Sequence, residues 1–395
     1  MAIQKIKEGI YFVGAKDFDR YLFDELIPLP DGTSYNAYIV EGSEKTALVD
    51  TVDPRKSETL ISNLKTLSLN PIDYIIAHHA EQDHSGTIPQ VLELYPQAKI
   101  ICTPKCKDFL MDLLLVPAEK FITVQDNETV SLGDRRLRFI HAPWVHWPET
   151  MLTYIEEDKI LFSCDFLGSH IASSSLFVDD ECIAYESAKR YYAEIMMPFR
   201  AHIVKHLERL NPLEIGLIAP SHGYLYDKPD FILSAYKEWV SDNVKNEVVI
   251  VYVSMHHSTQ RMVDHLVDRF IEKGLGVKPF NLSVADLGKI AISLVDAASV
   301  IVATPTVLTG AHPLALYATA ILNALRPKVR FVSIVGSFGW GTRCVEQLQS
   351  LLPNIKAEII PPVLVKGYPK ESDFKVLDEL VEKFYLKHKE AGLVN

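Results

Sequence analysis

The stretch Ala77-His78-His79-Ala80-Glu81-Gln82-Asp83-His84-Ser85-Gly86 crowds metal-binding side chains into one short segment. Alternate side chains of an extended loop point the same way, so His79 and Glu81 can face one metal ion. Asp83 and His84 can then turn towards a second. Imidazole nitrogens combined with carboxylate oxygens suit iron, manganese or zinc. We therefore interpret the segment as part of a metal site.

The flanking sequence places this segment between a strand and a helix. The apolar run Tyr74–Ile76 is typical of a buried strand, and a helix is expected over Ile88–Leu94. The alternative interpretation is a polar turn, in which Asp83 or Ser85 caps the helix and the histidines lie in solvent.

Composition and charge limit the classes of protein to consider. The 395 residues suffice for two or three domains. A net charge of −11 argues against binding to nucleic acid or to an anionic membrane. The first residues contain no apolar run, so we expect no secretory leader. No uncharged run reaches the length of about 20 residues that a membrane helix needs. Five scattered cysteines do not form a disulfide framework, so we expect a cytoplasmic protein.

Residues 1–246 mix short strands and hairpins with longer helices. This mixture predicts two sheets packed face to face, with helices on their outer sides. The predicted strands are Ile10–Val13, Asn36–Val40, Thr46–Val49, Tyr74–Ala77, Lys99–Cys102, Phe121–Val124, Leu137–His141, Met151–Ile155, Ile160–Ser163 and Ile215–Ala219. The predicted helices are Lys56–Leu67, Ile88–Leu94, Cys106–Leu115, Ala188–Leu210 and Asp227–Val240.

The pattern changes after the polar segment Ser241–Asn246, which we expect to be a linker. Residues 247–395 alternate apolar strands with helices, which predicts a doubly wound parallel sheet. The predicted strands are Glu247–Ser254, Ser299–Thr304, Val329–Gly336 and Lys356–Val363. The predicted helices are Thr259–Lys273, Leu314–Ala324, Thr342–Leu352 and Phe374–Lys387.

Three further ligand-type residues follow predicted strands of the first domain: His146, Asp165 and His222. Each alone could be a loop or capping residue. In a layered α/β fold, however, such strand ends converge on one edge. Together with the opening stretch they make seven candidate ligands, which is the number that two metal ions sharing one carboxylate require.

The ordered set His79-x-Glu81-x-Asp83-His84, His146, Asp165 and His222 resembles the motif of the metallo-β-lactamase superfamily. Hydrolytic zinc members usually have His at the second position, where this chain has Glu81. Combined with the flavodoxin-like second half, this resembles the flavodiiron proteins. The resemblance implies an N-terminal metallo-β-lactamase-like αββα sandwich, followed by a flavodoxin-like doubly wound parallel sheet. The alternative is a zinc-dependent hydrolase with a flavodoxin-like accessory domain.

The resemblance also assigns the ligands. It implies that His79, Glu81 and His146 bind a first iron ion. It implies that Asp83, His84 and His222 bind a second, with Asp165 as the bridge. An anionic oxygen donor at position 81 favours iron and stabilises its oxidised state, whereas a redox-inert zinc hydrolase would gain little from it.

Three loops of the second domain resemble the FMN-binding loops of the same family. The first loop, at the start of a predicted helix, offers hydroxyls and backbone N–H groups for a phosphate. The alternative for this loop is a capped helix without a ligand. The implied FMN-binding residues are Ser254, Met255, His256, His257, Ser258 and Thr259; Thr304, Pro305, Thr306, Val307, Leu308, Thr309 and Gly310; and Ser337, Phe338, Gly339, Trp340 and Gly341.

These features predict an oxidoreductase that reduces O2 to water, NO to N2O, or both, with electrons passing through FMN to two iron ions. The sequence has no Cys-x-x-Cys pair, so we expect no fused rubredoxin. We expect a separate donor, either a rubredoxin-like protein or a reduced deazaflavin coenzyme. The resemblance implies a head-to-tail homodimer, or a dimer of such dimers, in which each FMN meets the irons of the partner.

Overall fold

The computed structural model describes residues 3–67 and 71–394, which divide into two compact units. The first unit comprises Met1–Tyr192 with Phe199–Val240, and the second comprises Ala193–Pro198 with Ser241–Asn395. A strand starts at Lys245, within the segment expected to be a linker. The domain limits 1–246 and 247–395 stay a prediction.

The first sheet of unit 1 has seven strands in the order β1-β2-β7-β8-β9-β10-β11. The strands β8 to β11 pair in parallel, whereas the pairs from β1 to β8 are antiparallel. Their bounds are β1 (Gln4–Lys7), β2 (Ile10–Phe12), β7 (Tyr38–Glu41), β8 (Thr46–Val49), β9 (Tyr74–Ile76), β10 (Lys99–Cys102) and β11 (Phe121–Thr123).

The second sheet of unit 1 has five strands in the order β12-β13-β14-β15-β16. Only β15 and β16 pair in parallel there. The bounds are β12 (Thr129–Ser131), β13 (Arg136–His141), β14 (Met151–Ile155), β15 (Ile160–Cys164) and β16 (Leu217–Pro220).

Strand alternation builds two cores in unit 1. Val49 and Ile76 face Phe139 and Phe162 of the second sheet, so the two sheets pack against each other. Their neighbours in sequence, such as Leu48, point the other way, into a core shared with the helices. Burying side chains of this size contributes about 1.5–3 kcal/mol each. The predicted layers of sheets and helices are confirmed.

Four of the five helices expected in unit 1 are present, whereas the short helix Gln82–Ser85 and the start of the helix Glu181–Tyr191 were not expected. A single helix over Ala188–Leu210 is wrong, because a π-helical turn, Tyr192–Met196, and a 3₁₀ turn interrupt it. The helices are α1 (Ser57–Thr66), α2 (Gln82–Ser85), α3 (Ile88–Leu94), α4 (Pro104–Leu114), α5 (Glu181–Tyr191), α6 (Arg200–Leu210) and α7 (Pro229–Val240).

Four short strands near the N-terminus were not expected. They form two small antiparallel pairs, β3 with β6 and β4 with β5. Their bounds are β3 (Ala15–Asp17), β4 (Leu22–Phe23), β5 (Ile27–Pro28) and β6 (Thr33–Tyr35).

Unit 2 is a parallel sheet in the order β18-β17-β19-β21-β22, with β20 paired to β19 and β23 to β21. The expected strand Lys356–Val363 is wrong: two separate strands, β22 and β23, pair with opposite ends of β21. The strands are β17 (Lys245–Tyr252), β18 (Gly276–Asn281), β19 (Ala297–Val307), β20 (Gly310–Ala311), β21 (Phe331–Phe338), β22 (Glu358–Ile359) and β23 (Val363–Lys366). The helices are α8 (Ser258–Glu272), α9 (Leu287–Asp296), α10 (Pro313–Leu325), α11 (Cys344–Ser350) and α12 (Glu371–Glu390).

Candidate metal centre and flavin loops

The seven candidate ligands of unit 1 converge at the strand ends of both sheets. The first four lie between β9 and α3, where the chain leaves the first sheet. His146 precedes β14, Asp165 follows β15 and His222 follows β16, all in the second sheet. Side chains separated by long stretches of sequence are therefore brought to one place.

One oxygen of Asp165 faces the first group of ligands. Its Oδ2 lies 2.9 Å from His79 Nε2 and 3.3 Å from His146 Nε2. His146 Nε2 is also 3.1 Å from Glu81 Oε2. His79, Glu81 and His146 therefore gather around Asp165 Oδ2, and we call them the first trio.

The other oxygen of Asp165 faces the second group. Its Oδ1 lies 2.9 Å from His84 Nε2 and 3.4 Å from His222 Nε2. Asp83 Oδ2 is 3.1 Å from His222 Nε2 and 3.3 Å from His84 Nε2. These residues, Asp83, His84 and His222, form the second trio. All four imidazoles thus present Nε2 towards a shared carboxylate.

The donor atoms of these groups suit metal ions. Within the described residues, both oxygens of Asp83, His79 Nε2 and Glu81 Oε2 are buried, and the short contacts given above lack the geometry of hydrogen bonds. Unpaired buried polar atoms are costly, and a coordinated ion satisfies them. His222 Nδ1 donates to the carbonyl oxygen of Ser34 at 2.5 Å, which leaves Nε2 as the free donor for a metal.

Charge interactions in the site are strong. Burial lowers the pKa of His84, but the carboxylates of Asp83 and Asp165 outweigh it and raise this pKa to about 10. At His146 burial also lowers the pKa, but the adjacent carboxylates of Asp165 and Glu81 outweigh it and raise this pKa to about 10. Without a metal, His84 and His146 therefore hold protons, which a bound metal ion would displace.

In a neighbouring cluster of potential metal ligands, the side chains form hydrogen bonds. Asp50, His78 and Cys164 also lie close together, and all are buried. However, Asp50 Oδ2 accepts from His78 Nδ1 at 2.7 Å and from Ser221 Oγ at 3.0 Å. His78 Nε2 is 2.8 Å from Thr153 Oγ1. These groups satisfy one another, so the cluster braces the loops of the metal site and leaves no donor atoms for a further ion.

Aromatic side chains surround the trios. His170 lies with its ring 4.8 Å from both His222 and Tyr191, while Trp147 lies 5.7 Å from His79. Burial, together with the nearby His222, holds the pKa of His170 well below its usual range. These residues pack around the ligands rather than joining the trios.

The three loops of unit 2 lie at the carboxyl ends of the adjacent strands β17, β19 and β21. Thr259 Oγ1 lies 3.2 Å from Ser337 Oγ, which joins the first loop to the third. The backbone N–H of Arg343 donates to the carbonyl oxygen of Thr309 at 2.7 Å, which joins the third loop to the second. The 18 residues expected to bind FMN therefore belong to connected loops.

This loop cluster is suited to a planar group that carries a phosphate. The residue before α8, His257, offers no side-chain cap, and the Gln260 N–H donates to Ser254 Oγ at 3.1 Å, so the N–H groups that precede Gln260 are the ones left for an anion. Leu308 and Trp340 are 89% and 85% exposed, an unusual state for side chains of this size. A Cβ added at Gly339 or Gly341 would meet no atom within 4 Å, which leaves open space beside Trp340.

Comparison with known proteins gives a consistent result. A family model described as "ODP family beta lactamase" matches residues 33–223. The chain is 37% identical to a nitric oxide reductase of Moorella thermoacetica over 388 residues, covering 96% of this chain and 97% of that protein. The chain is a member of the flavodiiron protein family. It is also 31% identical to the anaerobic nitric oxide reductase flavorubredoxin of Vibrio vulnificus, covering 92% of this chain and 76% of that one.

Solved structures agree with membership of the flavodiiron proteins. Rubredoxin oxygen:oxidoreductase from Desulfovibrio gigas matches with a TM-score of 0.94 and 30% identity, covering 98% of this chain and 99% of that one. The flavodiiron protein of Giardia intestinalis matches with a TM-score of 0.88 and 27% identity, covering 98% of each chain. The protein is therefore an oxidoreductase, and its family implies a flavin and iron.

Membership of the flavodiiron family favours the redox interpretation over the zinc hydrolase that the sequence left open. No helix in residues 3–67 and 71–394 combines the length and apolar character needed to cross a membrane.

Proposed function

We propose that this flavodiiron protein reduces O2 to water, NO to N2O, or both, using electrons that a separate donor supplies through FMN to a pair of iron ions. Reduction of O2 to two waters takes four electrons and four protons. Coupling of two NO into N2O and water takes two of each. The observation that carries the proposal is Asp165, whose two carboxylate oxygens face two separate trios of donor atoms.

The trios support a site for two ions. His79, Glu81 and His146 would hold the first, and Asp83, His84 and His222 the second, with Asp165 shared between them. When bound, ferrous ions supply electrons to a small oxidant, and a flavin replenishes them one or two at a time. The chain holds the donor atoms in place beforehand, which limits the reorganisation needed during turnover.

The choice of iron is supported by the ligand types. Each trio combines two imidazoles with one carboxylate, and the shared carboxylate adds further negative charge. Such nitrogen and oxygen donors suit iron, and the anionic charge stabilises its higher oxidation state. Glu81 is therefore the residue on which the proposal of redox chemistry depends most.

Small substrates would reach the site beside the first trio. The side chains of Glu81 and His146 are each 14% exposed, whereas those of His79, His84, Asp165 and His222 are almost fully buried. Diatomic gases fit such a narrow opening, and the buried remainder of the site excludes bulk water.

The loops of unit 2 support FMN rather than a dinucleotide. The first loop lacks the glycine fingerprint of dinucleotide-binding folds, but it places hydroxyls at the start of α8. Trp340 and Phe338 provide flat apolar faces, and the adjacent glycines permit close approach of a ring. The donor would be a rubredoxin-like protein or a reduced deazaflavin, and the assembly a head-to-tail homodimer or a dimer of such dimers.

The test is a stopped-flow experiment on protein loaded with iron and FMN. The flavin is reduced without oxygen and then mixed with O2 or, separately, with NO. We expect flavin reoxidation with at least one gas, and N2O as the product if NO is the gas that reoxidises the flavin. A flavin that neither gas reoxidises would contradict the proposal. Comparison of the two rates identifies the preferred substrate.

Metal analysis provides an independent check. We expect two iron ions per chain in protein produced with excess iron. An Asp165→Ala variant should bind FMN normally and yet lose flavin reoxidation. Zinc at two ions per chain, with hydrolytic activity and no reductase activity, would support the hydrolase instead.

A further inference from the structure

We propose that Glu149 is a positioning residue, which holds the chain segments of the first trio together and so maintains the affinity of one of the two metal positions. This inference rests on the proposed diiron site. Glu149 is not among the seven candidate ligands and lies just three positions after His146. It is only 3% exposed.

The carboxylate of Glu149 binds the backbone between two ligands. Its Oε1 accepts a hydrogen bond from the N–H of Ala80 at 3.0 Å. Ala80 separates His79 from Glu81, so this bond fixes the peptide that sets their relative positions. A hydrogen bond from a neutral donor to a carboxylate is stronger than one between neutral groups.

Residues next to Glu149 in the sequence also contact the segment that carries His79 and Glu81. Trp147 lies with its ring 5.7 Å from His79, and the N–H of Met151 donates to the carbonyl oxygen of His78 at 2.9 Å. Segment 146–151 therefore runs alongside segment 78–81. Glu149 lies within this pairing and links the segment that carries His146 to the peptide between His79 and Glu81.

The second oxygen of Glu149 has a different environment. Oε2 is buried without a hydrogen-bond partner among the described residues. Glu149 also lines a cavity of about 310 Å³ that opens to solvent, together with Thr103, His141 and Thr150. Water fits a cavity of this volume and polarity. Removal of the Glu149 side chain would open its position to the cavity and so give small solutes a route to it.

The second trio is held by other bonds. The carbonyl oxygen of His84 accepts from Thr51 Oγ1 at 2.5 Å, and His222 Nδ1 donates to Ser34 at 2.5 Å. Removal of the Glu149 carboxylate leaves these contacts intact but leaves the Ala80 N–H buried and unpaired. Loss of such supporting bonds typically weakens metal binding about 10- to 100-fold. The effect should fall on the first metal position.

The experiment compares anaerobic titrations of ferrous iron into metal-free full-length chains. Wild type should take up two ions tightly, whereas Glu149→Ala should retain one tight ion and bind the other about 10- to 100-fold more weakly. Glu149→Gln keeps an acceptor oxygen and should bind both ions. Mössbauer spectra of the iron-loaded proteins should show one altered iron site in Glu149→Ala.

Two controls separate positioning from general loss of stability. Thr103 Oγ1 donates to the backbone carbonyl of Glu149 at 3.1 Å and caps α4, so Thr103→Val should lower the melting temperature and keep both ions. Acetate entering through the cavity should restore the second tight ion to Glu149→Ala.

The outcomes distinguish the two proposals. If wild type does not bind two iron ions, the proposed function fails. If wild type binds two and Glu149→Ala binds both equally tightly, the role of Glu149 is overturned. Equal weakening of both ions in Glu149→Ala, or the same loss in Thr103→Val, would overturn it as well. Should Glu149→Ala not fold, Glu149→Met fills the same space without an acceptor and provides the same test.

Discussion

At the scale of single residues, Glu81 distinguishes this site from a hydrolytic one. Its Oε2 is buried without a hydrogen-bond partner among the described residues, and it lies 3.1 Å from His146 Nε2. An imidazole at this position would replace an anionic oxygen donor by a neutral nitrogen. The charge of the first trio, and with it the preference between iron and zinc, therefore depends on this side chain.

We expect Glu81→His to shift metal selectivity from iron towards zinc. The variant has one negative charge fewer at the first trio and so stabilises oxidised iron less. The rate of flavin reoxidation by the gas should therefore fall by at least about tenfold, an effect typical of altered metal sites. Competition between ferrous iron and zinc, followed by metal analysis, measures the shift. Glu81→Asp keeps the charge and serves as the matched control. Unchanged iron loading and activity in Glu81→His would show that the carboxylate has no such role.

His388 provides a test of pH dependence in unit 2. Its Nδ1 lies 2.7 Å from Asn246 Oδ1 and its Nε2 lies 2.6 Å from Ser299 Oγ, with the ring fully buried. Burial lowers its pKa to about 4. Between this value and the usual value of about 6.5, the unfolded chain binds a proton that the folded chain does not, so stability falls as pH decreases through this range.

We expect protonation linked to His388 to lower the free energy of unfolding by roughly 2 kcal/mol as the pH falls from 7 to 4.5. His388→Gln cannot bind that proton, so the stability difference between wild type and variant should shrink as pH falls. Urea unfolding at several pH values, followed for both proteins, measures this difference. A difference that stays constant with pH would contradict the assignment.

The candidate ligands could be predicted from the sequence, whereas the contacts that support them could not, for a physical reason. His79, Glu81, Asp83 and His84 are rare residue types at close spacing, so they are visible without a structure. Glu149 is a single acidic residue in a loop, and its role depends on Ala80, which lies 69 positions away. No local pattern encodes a contact of that kind.

At the scale of elements, the turn after β16 shows how tightly the ligand loops are built. Gly223 has φ +77°, and a Cβ there would lie 2.1 Å from Ser169 Oγ and 2.5 Å from the carbonyl oxygen of Ser169. Its N–H donates to Ser34 Oγ at 2.8 Å. The turn that presents His222 therefore requires glycine, both for its backbone angle and for space.

We expect Gly223→Ala to destabilise the protein by more than about 2 kcal/mol and to weaken iron binding by the second trio. The matched control is Gly367→Ala, because Gly367 has φ +75° but no atom within 4 Å of the added Cβ. The control variant should lose only about 1 kcal/mol of stability and should still bind both iron ions. Urea unfolding and iron titration measure the two effects. Equal losses in both variants would show that the contact with Ser169 does not matter.

Elements with strong periodicity could be predicted from sequence, whereas elements that depend on tertiary contacts could not. The parallel strands β17, β19 and β21 are long apolar runs, so their positions were predictable. The pair β4 and β5 has two residues in each strand, too few for a pattern to form. The helix expected over Ala188–Leu210 is interrupted by the π-helical turn Tyr192–Met196 and by a 3₁₀ turn that contains Pro198, so here the sequence does carry a helix breaker.

At the scale of the whole molecule, each unit carries one of the two sites. The trios belong to unit 1, and the loops after β17, β19 and β21 belong to unit 2. On the proposed function, electrons would pass between a flavin held by one unit and metal ions held by the other. A head-to-tail dimer would supply this by pairing the flavin of one chain with the metals of its partner, as symmetric assemblies allow.

Mixed dimers test this pairing. Asp165→Ala removes the carboxylate shared by the trios, and Ser258→Glu places a negative charge at the start of α8, where the phosphate would bind. Neither variant alone should be active. Co-expressed in equal amounts, they should recover about a quarter of wild-type activity, because half of the dimers are mixed and each has one intact pair.

A second mixture combines wild type with a chain that carries both substitutions. In the head-to-tail dimer this mixture should have about a quarter of the wild-type activity, because only dimers of two wild-type chains contain intact pairs. If electrons instead pass within a single chain, the first mixture should have no activity and the second should have about half of the wild-type activity. Relative to the dimer, that model therefore predicts a lower activity in the first mixture and a higher activity in the second.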